Sequence, residues 1–173
     1  LMKHAEAITS ITCSTVNSYN GLVPRVGGFE GGTVTWAPTN ITYGHNNRSA
    51  QFRLPQNRYC IENRAADMTM NVYLAFSMTL SAAVEGIKKK IHPGKPTDQD
   101  LYNMTDSEFK KLGIKRLPRN LLMALEALKK DNFSDEVIGS VMKKSLLAYK
   151  NDEWERYHQA VTDWEVKEYL RLY

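Results

Sequence analysis

The residues best suited to chemistry in this chain of 173 residues lie between Asn47 and Arg64. The run Asn47-Arg-Ser-Ala-Gln-Phe-Arg-Leu-Pro55 is followed shortly by Ile61-Glu-Asn-Arg64. If residues 51–53 form a strand, alternation sends Phe52 to one face and Arg53 to the other, and a second strand would put Glu62 and Arg64 together. Two strands then present arginines beside a carboxylate. A guanidinium grips phosphate or carboxylate through paired N–H donors, and a carboxylate can hold Mg2+ or Mn2+ against phosphate oxygens, which is what phosphoryl transfer requires. The same residues equally describe a surface ion-pair ladder, the commoner use of Arg and Glu on a strand face, and periodicity does not choose between the two. A further candidate is Glu30, inside Gly27-Gly-Phe-Glu-Gly-Gly32. Glycines around a carboxylate suit a mobile loop carrying a base, and they suit a plain surface hairpin as well.

Other chemistries find little support. Cys13 and Cys60 form no CxxC pair, and His4, His45, His92 and His158 show neither HxH nor HExxH spacing, so no complete metal site is expected from these types. With 24% charged residues and a formal net charge of +4, the chain makes no electrostatic case for nucleic acid or an anionic membrane. Triplets of glycosylation type begin at Asn40, Asn47, Asn103 and Asn132, but such triplets arise by chance and matter only on a secretory route. The longest uncharged apolar run, from Val72 to Val84, falls well short of the roughly 20 residues that span a bilayer. The opening Leu-Met-Lys-His-Ala-Glu-Ala lacks the basic start, apolar centre and cleavage site of a secretory signal, and its abruptness suits a fragment.

The elements that must position these residues fall into two zones. A chain of this length with 42% hydrophobic residues predicts one compact unit with a real core. To about Arg64 the sequence is rich in Thr, Asn, Gly, Val and Tyr, with β-prone runs such as Thr33-Val-Thr-Trp36 and Ile41-Thr-Tyr43, and predicts strands and loops. From Asp67 onward, apolar residues at helical spacing predict helices separated by Pro and Gly stops. The first starts near Asp67 or Asn71, ends at His92-Pro93-Gly94, and is apolar on all sides, which predicts burial. The Lys88-Lys89-Lys90 run suits its solvated C-terminal end. A second helix after Pro118 carries Leu121, Leu125 and Leu128 as a stripe. A third, capped by Ser134, would turn Val137, Ile138, Val141 and Met142 inward. The last places Trp154, Tyr157, His158, Val161 and Trp164 on one side, a stripe for core or subunit contact in which His158 is a core histidine. The fold class is therefore α+β, antiparallel strands followed by a mainly helical part, with no internal repeat.

The order and spacing of several short motifs resemble one known family. Asn17-Ser-Tyr19 with Leu22-Val-Pro24, Asn47-Arg-Ser-Ala50, Arg53-Leu-Pro55, Ile61-Glu-Asn-Arg64, Asn71-Val-Tyr-Leu-Ala-Phe76, Gly86-Ile-Lys-Lys-Lys-Ile-His-Pro-Gly94 and Asp100-Leu-Tyr102 together look like glutamine synthetase. The resemblance covers roughly the first hundred residues and implies that residues 1–173 are the C-terminal part of the catalytic domain. The small N-terminal domain, the first half of the catalytic domain and most metal ligands would then lie upstream, and the fragment alone would be inactive.

In that family ATP phosphorylates the γ-carboxylate of glutamate, and ammonia or an amine attacks the acyl phosphate, with Mg2+ or Mn2+ bridging nucleotide and substrate. By similarity Glu62 would be a metal ligand, Arg48 would stabilise the transferred phosphoryl group, Arg53 would contact ATP phosphates and Arg64 would hold a substrate carboxylate. Glu30 resembles the flap glutamate that helps deprotonate the incoming ammonium, within a longer glycine-rich insertion. Tyr102 sits where some bacterial members take a regulatory adenylyl group. The resemblance further implies a cytoplasmic, homo-oligomeric ring, a dodecamer, of full-length chains. Two departures stand out: Gly21 and Cys60 occupy positions where the family usually has anion-binding arginines. Arg25 and Arg58 lie close in sequence and could compensate, from another direction. Ordinary glutamine synthesis, a γ-glutamylmethylamide synthetase-like ligation and a non-catalytic structural or regulatory role are the alternatives these departures leave.

Overall fold

The computed structural model describes residues 1–22, 36–102, 104–170 and 172. Glu30, Arg25, the glycine-rich 27–32 segment and residues 33–35 of the expected first strand lie outside the described residues.

Four strands form one sheet in the order β3-β2-β1-β4: β1 (Asn40–His45), β2 (Ala50–Leu54), β3 (Glu62–Asn63) and β4 (Lys115–Arg116). The outer pairs are antiparallel, as expected, with Arg53 opposite Glu62 and Asn40 opposite Arg116. The central pair differs. β1 and β2 run parallel, with a register irregularity between Asn40 and Tyr43. A short link between strands normally signals a hairpin, because parallel neighbours usually need a crossover of a dozen or more residues. Here residues 46–49 double back along β1, and Asn46 takes the left-handed conformation (φ 55°) that Asn tolerates better than most residues.

The first third also holds a helix where strands and loops were expected. α1 (Ala5–Thr12) is buried except at Glu6. Thr9 and Thr12 donate their hydroxyls to the carbonyls of Ala5 and Ile8 at 2.7 and 3.1 Å, so a Thr-rich segment enters the core with its polar atoms satisfied. The other helices are α2 (Val72–Lys88), α3 (Asp106–Leu112), α4 (Leu121–Lys130), α5 (Asn132–Ile138), α6 (Ser140–Gln159) and α7 (Asp163–Tyr169). Side-chain caps set many of their starts: Asn71 accepts from Tyr73 N at 3.0 Å, Asn120 from Met123 N at 2.9 Å, and Thr105 and Thr162 form capping boxes with Glu108 and Glu165.

Two apolar clusters hold these elements together. One joins Cys13, Tyr19, Leu22 and Ala65 to Leu117, Leu121, Ala124 and Leu125, as the predicted stripe on α4 requires. The other packs Ile8 and Ile11 of α1 against Ala75, Met78 and Ala82 of α2 and Leu128 of α4. Helix α2 is buried on that side only. Tyr73, Phe76, Leu80, Val84 and Ile87 are exposed, so its all-round apolarity does not translate into all-round burial. The Lys88–Lys90 run does lie exposed at its end.

Three further expectations are corrected. Asp131, not Ser134, caps α5, accepting from the Ser134 amide at 3.0 Å, while Ser134 itself is fully buried. Gly139 (φ 80°) then breaks the helix, which turns Val141 and Met142 of α6 outward to solvent. The aromatic stripe is divided by the extended backbone of Ala160: Trp154 packs on the first cluster, but His158 is exposed and stacks on Trp154 at 5.7 Å, and Trp164 stands exposed on α7.

Candidate active site

The β2–β3 pairing brings Glu62 between two arginines. Arg53 Nη1 donates to Glu62 Oε2 at 3.0 Å and Arg64 Nη1 donates to Glu62 Oε1 at 3.0 Å, so each carboxylate oxygen has its own guanidinium. Arg58, on the exposed loop between the strands, sets Nη2 3.5 Å from Oε2. Burial pushes the Glu62 carboxyl up, but the hydrogen bond and charge of Arg53, with those of Arg64, outweigh it and hold the group below the usual carboxylate range. Glu62 is therefore ionised at neutral pH. Alternation places Arg53, Glu62 and Arg64 together as the sequence predicts, and Phe52 turns to the opposite, buried side.

Arg48 is brought to the same edge by the 46–49 link. Asn47 pins the link: its Nδ2 donates to the carbonyls of Thr97 and Gln99 at 2.6 and 3.0 Å, and its Oδ1 accepts from the amide and hydroxyl of Ser49 at 2.9 and 2.6 Å. Ser49 Oγ in turn accepts from the Leu101 amide at 3.2 Å. The Asn and Ser of the Asn47-Arg-Ser49 motif thus face inward and fix the backbone, which leaves the Arg48 side chain exposed between them. Gly44 makes this clamp possible, because a Cβ there would lie 2.2 Å from the Thr97 carbonyl oxygen.

Arg64 ties the parts together. Its Nε donates to the Arg48 carbonyl at 3.1 Å and its Nη2 to the Trp36 carbonyl at 2.7 Å. Three of its five N–H groups are thereby directed to the protein, which leaves two without a partner among the described residues. Arg53 donates Nη2 to Asn46 Oδ1 at 3.0 Å, while its Nε is buried without a hydrogen-bond partner among the described residues. The remaining Arg53 N–H groups, not this enclosed Nε, are the ones an anion such as a phosphate could reach. A metal ion fits less completely. No group of three His, Cys, Asp or Glu side chains able to hold one occurs among the described residues, so Glu62 offers at most one ligand.

Tyr102 donates its hydroxyl to the Ala37 carbonyl at 2.6 Å and is half-buried. Burial pushes its phenol above its usual range, the nearby Arg64 charge pulls the other way, and Asp100 adds to the rise. Of the two departures, Gly21 is exposed with nothing among the described residues near where a side chain would start, and Cys60 is an exposed free thiol. Residues that sequence reasoning did not single out are Asn46, Trp36 and Ala37. Trp36 lies face-on beneath Arg48, with the guanidinium carbon 4.6 Å from the ring centroid. Asn46 carried a signal in its place beside the Asn47-Arg48 motif; the other two act largely through carbonyls, for which side-chain type gives no sign.

The profile of the glutamine synthetase catalytic domain matches residues 1–169. The chain belongs to the glutamine synthetase family. It is 40% identical over 173 residues to the glutamine synthetase of Methanocaldococcus jannaschii, covering 98% of this chain and 36% of that protein. It is 41% identical over 173 residues to the glutamate–methylamine ligase of Methyloversatilis universalis, covering 100% of this chain and 38% of that protein. Its fold superposes on a solved GmaS/ADP complex with a TM-score of 0.81 at 33% identity, covering 99% of this chain and 38% of that one. The chain thus spans a little over a third of the length of these relatives. Members carrying either name align over the same stretch, so this part of a glutamine synthetase-family fold serves ligases of both kinds.

Proposed function

We propose that this chain carries the arginine and glutamate side of an ATP-dependent ligase site that joins ammonia or a small amine to the γ-carboxylate of glutamate through a γ-glutamyl phosphate. The observation that supports this most is the ionised Glu62 held between Arg53 and Arg64, with Arg48 beside them on a pinned link. Arg48 is the group that faces charge developing on the transferred phosphoryl oxygens, Arg53 orients nucleotide phosphates, and Arg64 offers its two remaining N–H groups to a substrate carboxylate. Glu62 supplies one ligand to Mg2+ or Mn2+, which neutralises phosphate charge when bound. Glu30 serves as the base that helps deprotonate the ammonium or amine. The remaining metal ligands come from elsewhere in the full-length protein, so the isolated chain is inactive and the working form is a cytoplasmic homo-oligomeric ring. No helix among the described residues is long and apolar enough to cross a membrane.

A non-catalytic structural or regulatory role is favoured only by Gly21 and Cys60, and the approach of Arg58 to Glu62 weakens that argument for the second position. The test uses the full-length protein, with phosphate release measured on glutamate plus ammonia, methylamine, ethylamine or a polyamine. Glu62→Gln keeps the shape and removes the charge, and should cut kcat at least about 100-fold. Turnover with none of these amines in the unsubstituted protein would sink the ligase reading.

A further inference from the structure

Trp36 and Ala37 lie a few residues beyond the glycine-rich segment, and neither has a role in the reading above. Three contacts converge on them. The Trp36 ring carries the Arg48 guanidinium at 4.6 Å, the Trp36 carbonyl accepts from Arg64 Nη2 at 2.7 Å, and the Ala37 carbonyl accepts from the Tyr102 hydroxyl at 2.6 Å. The backbone here is thus fixed by two side chains, Arg64 just after β3 and Tyr102 beyond α2. Trp36 is nonetheless 59% exposed, so its indole is not there to fill the core.

The Arg48 side chain makes no hydrogen bond among the described residues, and the indole is its one partner there. A contact to the face of a ring draws on the charge of the guanidinium and takes none of its five N–H donors into a conventional hydrogen bond. An arginine held this way is restrained but keeps its donors for an anion. Fixing a long side chain before the ligand arrives removes an ordering cost from the step in which it acts.

We propose that Trp36 is a positioning residue for Arg48: its ring restrains the guanidinium for its action on the transferred phosphoryl group, and the Arg64 and Tyr102 contacts hold the backbone at Trp36 and Ala37. The inference rests on the role given to Arg48 above. It assigns Tyr102 a structural task as well, because its hydroxyl is engaged as an anchor.

The test compares Trp36→Leu, Trp36→Phe, Arg48→Ala and the Trp36→Leu/Arg48→Ala pair in the full-length enzyme, with kcat and KM for ATP and glutamate and a thermal melt of each. Trp36→Leu should lower kcat about tenfold with little change in either KM, and Trp36→Phe should restore it to within about threefold. Trp36→Leu should cost nothing more in the Arg48→Ala background. Arg48→Ala abolishing turnover while Trp36→Leu leaves kcat intact overturns the positioning role alone. Losses that multiply in the paired variant, or a Phe variant as impaired as Leu, overturn it too. Full activity in Arg48→Ala removes the Arg48 assignment and the positioning role with it.

Discussion

Replacing Glu85 by Gln should cost stability at neutral pH and almost none in strong acid. Glu85 sits near the end of α2 and is one-tenth exposed. Its Oε1 takes Lys3 Nζ at 2.9 Å and Lys89 Nζ at 2.7 Å, and its Oε2 lies 2.7 Å from His4 Nε2. His4, buried and stacked on Phe133, reaches Asp131 Oδ2 at 2.6 Å through its other nitrogen, so the group ties the N-terminus to α2 and to the α4–α5 junction. Hydrogen bonds from Lys89, then Lys3, then His4, outweigh burial and bring the Glu85 carboxyl from its usual 4.5 to about 2. At about 1.4 kcal/mol per tenfold change, that drop sets a ceiling of about 3 kcal/mol. Lys3 and Lys89 are half-exposed or more, so salt screening cuts the expected figure to about 1.5 kcal/mol. The sign follows from the direction of the shift. A carboxyl whose folded value is depressed stabilises fully above its unfolded value and loses that contribution as pH falls toward the folded one. The difference between wild type and Glu85→Gln should therefore be constant above about pH 5.5, halve near about pH 3.3 and vanish near about pH 1.5. Denaturant unfolding followed by circular dichroism across that range measures it. A difference that stays level from pH 6 to pH 2.5 would show that Glu85 does not act as an ionised partner.

Two other substitutions probe how the site is assembled. Gly44→Ala places a methyl group 2.2 Å from the Thr97 oxygen and 2.8 Å from Asn47 Cβ, which forces the clamp on the 46–49 link apart. It should destabilise the protein by about 2 kcal/mol and lower kcat about tenfold or more, read by denaturant unfolding and phosphate release. Arg58→Ala should raise the KM for ATP severalfold and leave kcat nearly intact, with Cys60→Arg restoring the affinity; an unchanged KM would show that Arg58 does not stand in for the missing arginine.

How far the sequence could be read depended on where each partner comes from. Arg53, Glu62 and Arg64 were legible because strand alternation fixes their faces, and the pairing of β2 with β3 does the rest. Arg48 was legible only through the linked motifs, since nothing in its spacing says that residues 46–49 run back beside β1. Trp36 and Ala37 could not be found, because what they offer Arg64 and Tyr102 is a carbonyl, which every residue has. The helix α1 was obscured by Thr and Ser, whose β and turn preferences are overridden when their hydroxyls bond back to the preceding turn. The burial of α2 was overread, since an apolar helix shows what it can bury and not which partners are present.

The charge count at the site bears on what it can bind. Arg53, Arg58 and Arg64 all reach the Glu62 carboxylate, so among the described residues in contact there three positive charges face one negative. A structural ion-pair ladder tends toward neutrality, because unpaired cations in partial burial lose hydration without compensation. Here the surplus persists, and beyond Glu62 the contacts that hold Arg53, Arg64 and Arg48 among the described residues are to Asn46, to backbone carbonyls and to an indole, none of which carries charge. Neutral supports fix position without using up the positive potential. That arrangement suits a polyanion arriving from solution, as the nucleotide of the proposed ligase would be.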